Sequence, residues 1–382
     1  MAKKLAALLI GILFLCLGMR LTNIEAAPIL QSSPEETDEE IKAKAVVLID
    51  AQTGRILFEQ NAHLCLPMAS TTKIMTALLT LEQENLDEYF SVDPIAVHVE
   101  GSSMGLKEGD CVSLRALAYG MLLPSGNDAA NTAAVRIAGS LPEFARIMND
   151  RAQEMGLKDT HFVTPSGLND SNHYSTAYDM ALLAQEALKN PDFAEICSSS
   201  QAVVQFGNPP QTRWMQNHNR LLRSYEGAVG VKTGYTLAAG RCLVSCAERN
   251  GIQLIAVTLN CQDDWNVHSK LFDRYFERLS LIDTSKLMHK VQIPVMGGSV
   301  LKVRADCEIP PKLAVLEGET VTADICAEPF LFAPVERGRV VGKVTFRFDG
   351  KPSLELPMTS VKPVKIASNK PNLLERLLKN GR

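Results

Sequence analysis

The sequence predicts a mixed α+β protein. A large first unit holds an antiparallel sheet flanked by helices, and a small all-β unit follows it. Three observations point there. Strand-like runs near residues 44–59 and 228–260 bracket a mainly helical stretch at 114–189, so one sheet drawn from both ends satisfies the order. After residue 283 the chain becomes short β-like runs separated by Gly, Pro and charged turns. The chain has 382 residues, which suits two domains better than one.

Composition narrows the class. Hydrophobic content of 46% and charged content of 21% are globular values, enough for a sizeable core. A net charge of −4 without a basic stripe argues against nucleic-acid binding.

In chain order, Lys3 and Lys4 precede an apolar run at 5–17, too short to span a bilayer comfortably and suited to a secretory leader. Ala26 and Ala27 mark a cleavage zone, although Ile24 and Glu25 fit the upstream subsite poorly. Residues 1–27 are thus expected as a signal peptide, and export follows. Leu15 ahead of Cys16 argues against a lipid-modified cysteine. Residues 28–42, acidic and polar, read as a mobile mature N-terminus.

The first unit is expected over 43–282. It opens with a hairpin: a strand at 44–50, a turn at Gln52-Thr53-Gly54 and a return strand at 55–59. A helix begins near Ser70 and runs to Leu81. Strands resume at 228–233, 241–247 and 253–260, and a helix follows at 265–278. The β unit is expected over 283–365, with strands at 291–295, 299–303, 320–325, 339–348 and 353–357. In the tail, 366–382, Leu373, Leu374, Leu377 and Leu378 share one face of a short helix. Peripheral contact with a membrane surface and a frayed solvated end are both compatible with that pattern.

Eight cysteines remain after leader removal, without zinc-type spacing, and the preferred reading is small buried hydrophobes. No metal or cofactor is expected, and H-E-x-x-H is absent.

Three short patterns carry chemistry. In Ser70-Thr71-Thr72-Lys73 the hydroxyl and the amine lie one helical turn apart and can meet. A serine becomes nucleophilic when a base takes its proton, and a lysine serves if burial or another cation lowers its pKa. A second Ser-x-x-Lys, Ser299 to Lys302, is set aside because a strand pattern would point the two to opposite faces. Ser125-Gly126-Asn127 forms a loop after a helical run, with Asp128 placed to cap the next helix. Lys232-Thr233-Gly234 lies on a strand, where glycine permits close backbone approach. His173 and His218 read as structural.

Together, on helix, loop and strand in this order, the trio resembles that of class A β-lactamases and penicillin-binding proteins, with Gly126 where an Asp is usual. The chain resembles the serine-type D-Ala-D-Ala carboxypeptidase family, the low-molecular-mass penicillin-binding proteins. The likeness extends through residues 50–73, through Phe162-Val163-Thr164-Pro165-Ser166-Gly167-Leu168 with His173-Tyr174-Ser175-Thr176-Ala177, and through Gly230 to Thr236 with Ala239-Gly240. It implies a β-lactamase/transpeptidase-like first domain outside the cytoplasm, at the cell wall or the outer membrane face. It implies stem peptides ending in D-Ala-D-Ala as substrate and β-lactam antibiotics as ligands. By that resemblance Ser70 is the nucleophile, Lys73 its base and Ser125 the proton relay. Asn127 would hold the substrate amide, and Lys232 and Thr233 its carboxylate. The N–H groups of Ser70 and Tyr235, beside Gly234, would form the oxyanion hole. A β-lactamase is the nearest rival, but the deacylating Glu-x-x-Leu-Asn segment of that family is absent between Ser125 and Lys232. A non-catalytic peptidoglycan-binding protein is the other rival.

Overall fold

In a computed structural model the described residues are 41–287 and 290–367, and they fall into two compact units that meet between Leu279 and Ser280. The expected leader, most of the acidic segment and the leucine-bearing tail lie outside the described residues. Ile41 departs from the mobile segment expected through residue 42: its amide donates to Gln60 Oε1, and Gln60 Nε2 donates back to its carbonyl.

The first unit holds a five-stranded antiparallel sheet in the order Ile56–Gln60, Ala43–Asp50, Ile252–Cys261, Gly240–Arg249, Ala228–Thr236. As read from the sequence, it is assembled from both ends of the segment. Three strands carry unbroken buried runs, Ala43–Asp50 among them, so both faces of the sheet are covered. Alternate residues face opposite sides. Cys242, Val244, Cys246, Ile255 and Val257 join the helical core. Ser245 and Thr258 instead hydrogen-bond His268 of the helix Asp264–Arg278. That helix therefore covers one face and the helical middle covers the other.

At the centre of the middle lies Lys73–Leu81, all nine of whose residues are buried. Around it pack Leu114–Leu122, Asn127–Ala138, Leu141–Glu154, Ala177–Ala187 and Pro191–Ser198, four of them opened by side-chain caps from Ser113, Ser140, Thr176 and Asn190. A two-stranded ribbon, Gln201–Phe206 with Gln211–Gln216, has no counterpart among the elements expected from the sequence.

The second unit is built on a six-stranded sheet in the order Val321–Ala327, Val340–Phe348, Lys351–Ser360, Lys302–Asp306, Val291–Met296, Leu331–Phe332. A further pair joins Leu279–Asp283 to Lys312–Leu316. The core of this unit includes Ile293, Val303, Leu313, Val344 and Phe346. Here one expectation needs correcting. The strand starts at Lys302, so Ser299 sits in a bend ahead of it, and both residues are exposed. The opposite-face reason for discarding this Ser-x-x-Lys pair therefore does not apply. Exposure replaces it: neither side chain is drawn into a cleft where a substrate could be held.

The eight described cysteines are all free thiols. Cys197, Cys242, Cys246 and Cys261 are buried as expected, whereas Cys65 and Cys326 are exposed and Cys111 and Cys307 are half-buried.

Candidate active site

Ser70 lies on a 3-10 turn, Ala69–Thr72, and the α-helix begins at Lys73. The sequence reading had started the α-helix at Ser70. With three residues per turn, positions i and i+3 eclipse, so Ser70 stands directly over Lys73. The Thr71 and Thr72 hydroxyls donate to the Met68 and Ala69 carbonyls and hold the turn.

Lys73 is fully buried. Its Nζ lies 2.8 Å from Ser70 Oγ, 2.7 Å from Asn127 Oδ1 and 2.7 Å from the Ser166 carbonyl. Burial pushes its pKa well below the ordinary lysine value, and the nearby charge of Lys232 pushes it further in the same direction, against an opposing pull from Asp128. A neutral amine has two N–H donors and one lone pair. Asn127 Oδ1 and the Ser166 oxygen can only accept, so they take both donors. The lone pair is then left for the Ser70 hydroxyl.

Asn127 is fixed by Nδ2 donating to the Glu100 carbonyl at 2.6 Å and by its own amide donating to the Ser102 carbonyl at 2.7 Å. Asp128 does not cap the helix as expected. The N-cap is Gly126, without a side-chain bond, and the Asp128 carboxylate turns to the neighbouring loop. It accepts from Ser103 Oγ and from the amides of Met104, Gly105 and Leu106. That loop crowds Gly126: a Cβ there would meet Asp128 Oδ1 at 2.6 Å and the Met104 nitrogen at 2.8 Å. The glycine that departs from the β-lactamase pattern thus has a steric cause. Ser125 is buried and held at φ 65°, in the left-handed region where a non-glycine residue is strained.

Lys232 is also buried, its Nζ donating to the Thr233 carbonyl at 2.8 Å, and burial pushes its pKa down to about 7. Thr233 is half-buried and Tyr235 is 62% exposed. A Cβ on Gly234 would lie 3.0 Å from the Met68 oxygen and 3.1 Å from the Ser70 nitrogen. The strand backbone thus runs directly against the Ser70 turn, which places the Tyr235 amide one residue from that contact.

Two features carry no side-chain signal in the sequence. The first is the Ser166 carbonyl. The loop that carries it continues at Gly167, with φ 83°, where a Cβ would overlap the Ala69 oxygen. The second is a relay behind the turn. The Val163 amide donates to His173 Nδ1, and His173 Nε2 lies 2.8 Å from Thr72 Oγ1, which itself donates to Ala69. Burial lowers the His173 pKa to about 4, so the ring is neutral and its Nε2–H donates to Thr72. The structural reading of His173 agrees with this. His218 donates its amide to the Leu123 carbonyl, and burial and the Lys232 charge lower its pKa.

A serine standing over a buried lysine whose basicity is lowered, with further polar side chains on a neighbouring loop and strand, has the parts that serine acyl transfer requires. The family model described as D-alanyl-D-alanine carboxypeptidase, peptidase S11, matches residues 31–263. The chain is 31% identical over 379 residues to the D-alanyl-D-alanine carboxypeptidase DacF of Bacillus subtilis, covering 96% of both. It is 33% identical to DacC of Escherichia coli, covering 83% of both. Among solved structures, penicillin binding protein 5 from Haemophilus influenzae matches with a TM-score of 0.70 and 29% identity, over 86% of this chain and 99% of that one. The chain belongs to the peptidase S11 family of D-alanyl-D-alanine carboxypeptidases.

Proposed function

We propose that this protein removes the terminal D-alanine from peptidoglycan stem peptides through an acyl-enzyme on Ser70. The observation that carries the reading is the Lys73 amine, 2.8 Å from Ser70 Oγ and held by two partners that can only accept.

The Ser70 proton passes to Lys73 Nζ as Oγ bonds to the carbonyl carbon of the penultimate D-alanine. The N–H groups of Ser70 and Tyr235 receive the charge that develops on the carbonyl oxygen, and each such donor supplies roughly 2.7–4 kcal/mol in the transition state. Ser125 relays a proton to the departing nitrogen, the C–N bond breaks, and D-alanine leaves. Water then adds to the ester and restores Ser70. Asn127 holds the substrate amide as well as Lys73. Lys232 and Thr233 bind the terminal carboxylate, and Gly234 lets the strand approach the nucleophile.

No cofactor enters this scheme. The same serine would be acylated by β-lactam antibiotics, whose strained amide presents a carbonyl beside a carboxylate. The leader pattern supports export, and the polymer acted on lies outside the cytoplasmic membrane.

The test is Ser70→Ala. The variant should stay folded yet lose both D-alanine release from a D-Ala-D-Ala peptide and covalent labelling by fluorescent penicillin. Labelling at the wild-type rate would reject Ser70. Labelling without D-alanine release in the wild type would favour a non-catalytic binder, and rapid penicillin turnover would favour a β-lactamase.

A further inference from the structure

The ribbon Gln201–Phe206/Gln211–Gln216 has two unlike faces. Val204, Phe206 and Met215 face the core, and Arg213 stacks over Phe206. The other face is open and consists of three cross-strand pairs: Gln201 with Gln216, Val203 with Trp214, and Gln205 with Thr212. Trp214 is 75% exposed and Val203 50% exposed. None of the four flanking polar side chains hydrogen-bonds another described residue. Trp214 and Val203 thus form a contiguous exposed apolar pair rimmed by polar side chains, the pattern of an interaction surface.

We infer that this face is a binding site for the glycan strand of peptidoglycan, a β-linked chain of N-acetylated hexosamines; the inference rests on the proposed function for why that polymer is at hand. A pyranose in such a chain presents one apolar C–H face, which matches an indole and an adjoining valine. Its hydroxyls and acetamides lie at the ring edge, where Gln201, Gln216, Gln205 and Thr212 offer both donors and acceptors. All six side chains are neutral, as is the repeating sugar backbone.

Continuity with the cleft supports the assignment. The strand that carries Trp214 runs on to Asn217, whose amide donates to the Ser200 carbonyl, and to His218, whose amide donates to the Leu123 carbonyl two residues before Ser125. Trp214 and His218 are four positions apart along the chain, a reach of at most about 14 Å. Four stem-peptide residues lie between the sugar and the scissile bond, also about 13–14 Å when extended. His218 lies close enough to Lys232 to feel its charge, so the ribbon is continuous with the cleft, and the stem peptide is long enough to reach from one to the other.

The experiment compares two substrates of the full-length protein: a free pentapeptide ending in D-Ala-D-Ala, and the same pentapeptide on a disaccharide of N-acetylglucosamine and N-acetylmuramic acid. The wild type should process the disaccharide form with a kcat/KM about tenfold higher, the size of one aromatic contact. Trp214→Ala should lose that gain through KM while matching the wild type on the free pentapeptide, and Trp214→Phe should keep part of it. Equal kcat/KM on the two substrates in the wild type overturns the inference, as does an equal loss on both in Trp214→Ala. If D-alanine is released from neither substrate, the proposed activity fails, and the glycan site is judged by tryptophan fluorescence. The chain has two tryptophans, so titration with an N-acetylglucosamine tetramer should change the emission of the wild type and not of Trp214→Ala. An unchanged wild type overturns the site on its own.

Discussion

Two lysine amines withdrawn from water share one cleft, and their charges act on each other. In the proposed mechanism Lys73 must be neutral to accept the Ser70 proton, so acylation should rise as pH passes upward through its lowered pKa. The Lys232 charge contributes to that lowering. Lys232→Gln removes it, the Lys73 pKa rises, and the acylation profile should move to higher pH, with weaker binding of a carboxylate substrate. Lys232→Arg keeps the charge and should shift the profile less, although a planar fork replaces a point charge. Acylation rate against pH for the three proteins checks this, and an unshifted profile in Lys232→Gln would remove the proposed influence on Lys73. Lys232 itself titrates at about 7, so its hold on a carboxylate should weaken above that pH. The sequence made the residue types legible, because Ser70 and Lys73 recur at a spacing that chemistry uses. It could not disclose the Ser166 carbonyl, since every residue carries one and only the folded loop aims it.

At the scale of elements, the site depends on backbone lying against backbone. A Gly167→Ala variant would place a methyl onto the Ala69 oxygen at a position whose φ is 83°. Left-handed strain alone costs about 1–3 kcal/mol, and a displacement of the Ser70 turn by about 1 Å would cost on the order of 10²-fold in acylation. Thermal unfolding and penicillin-labelling kinetics should both register the change. Gly234→Ala, whose nearest contacts are 3.0–3.1 Å, should leave stability closer to wild type while still slowing acylation. The helix carrying Lys73 and the five strands of the main sheet are legible from periodicity, whereas junctions are not. The α-helix starts at Lys73 because Thr71 and Thr72 spend their hydroxyls on a tighter turn. Asp128 looked like a cap because position and residue type suit one, yet four donors from residues 103–106 compete for the same carboxylate. The ribbon at 201–216 is not legible because apolar Val203 and Trp214 lie on its open face and Arg213 on its covered one, which blurs the period-2 signal.

For the molecule as a whole, the two hydrophobic cores have no residue in common. Ending the chain after Leu279 should therefore leave a soluble unit that fluorescent penicillin labels at close to the full-length rate. Complete loss of labelling in a folded truncation would show that the β unit is required. The change of composition near residue 283 lies close to Ser280, where the second unit begins, but the strand Lys312–Leu316 is hidden in the sequence, since one short apolar run gives no partner by itself. Ser125 has a consequence for the stability of the whole chain. In the proposed mechanism its hydroxyl relays a proton, while its backbone sits where glycine would rest more easily. Ser125→Ala and Ser125→Gly should both lose about 10²–10⁴-fold in activity. In thermal unfolding the glycine variant should melt about 2–4 °C above the alanine variant, because only glycine releases the strain. A screen that rewards yield and heat resistance without measuring catalysis would thus tend to collect glycine at this position, and the hardiest clones it returned would be inert.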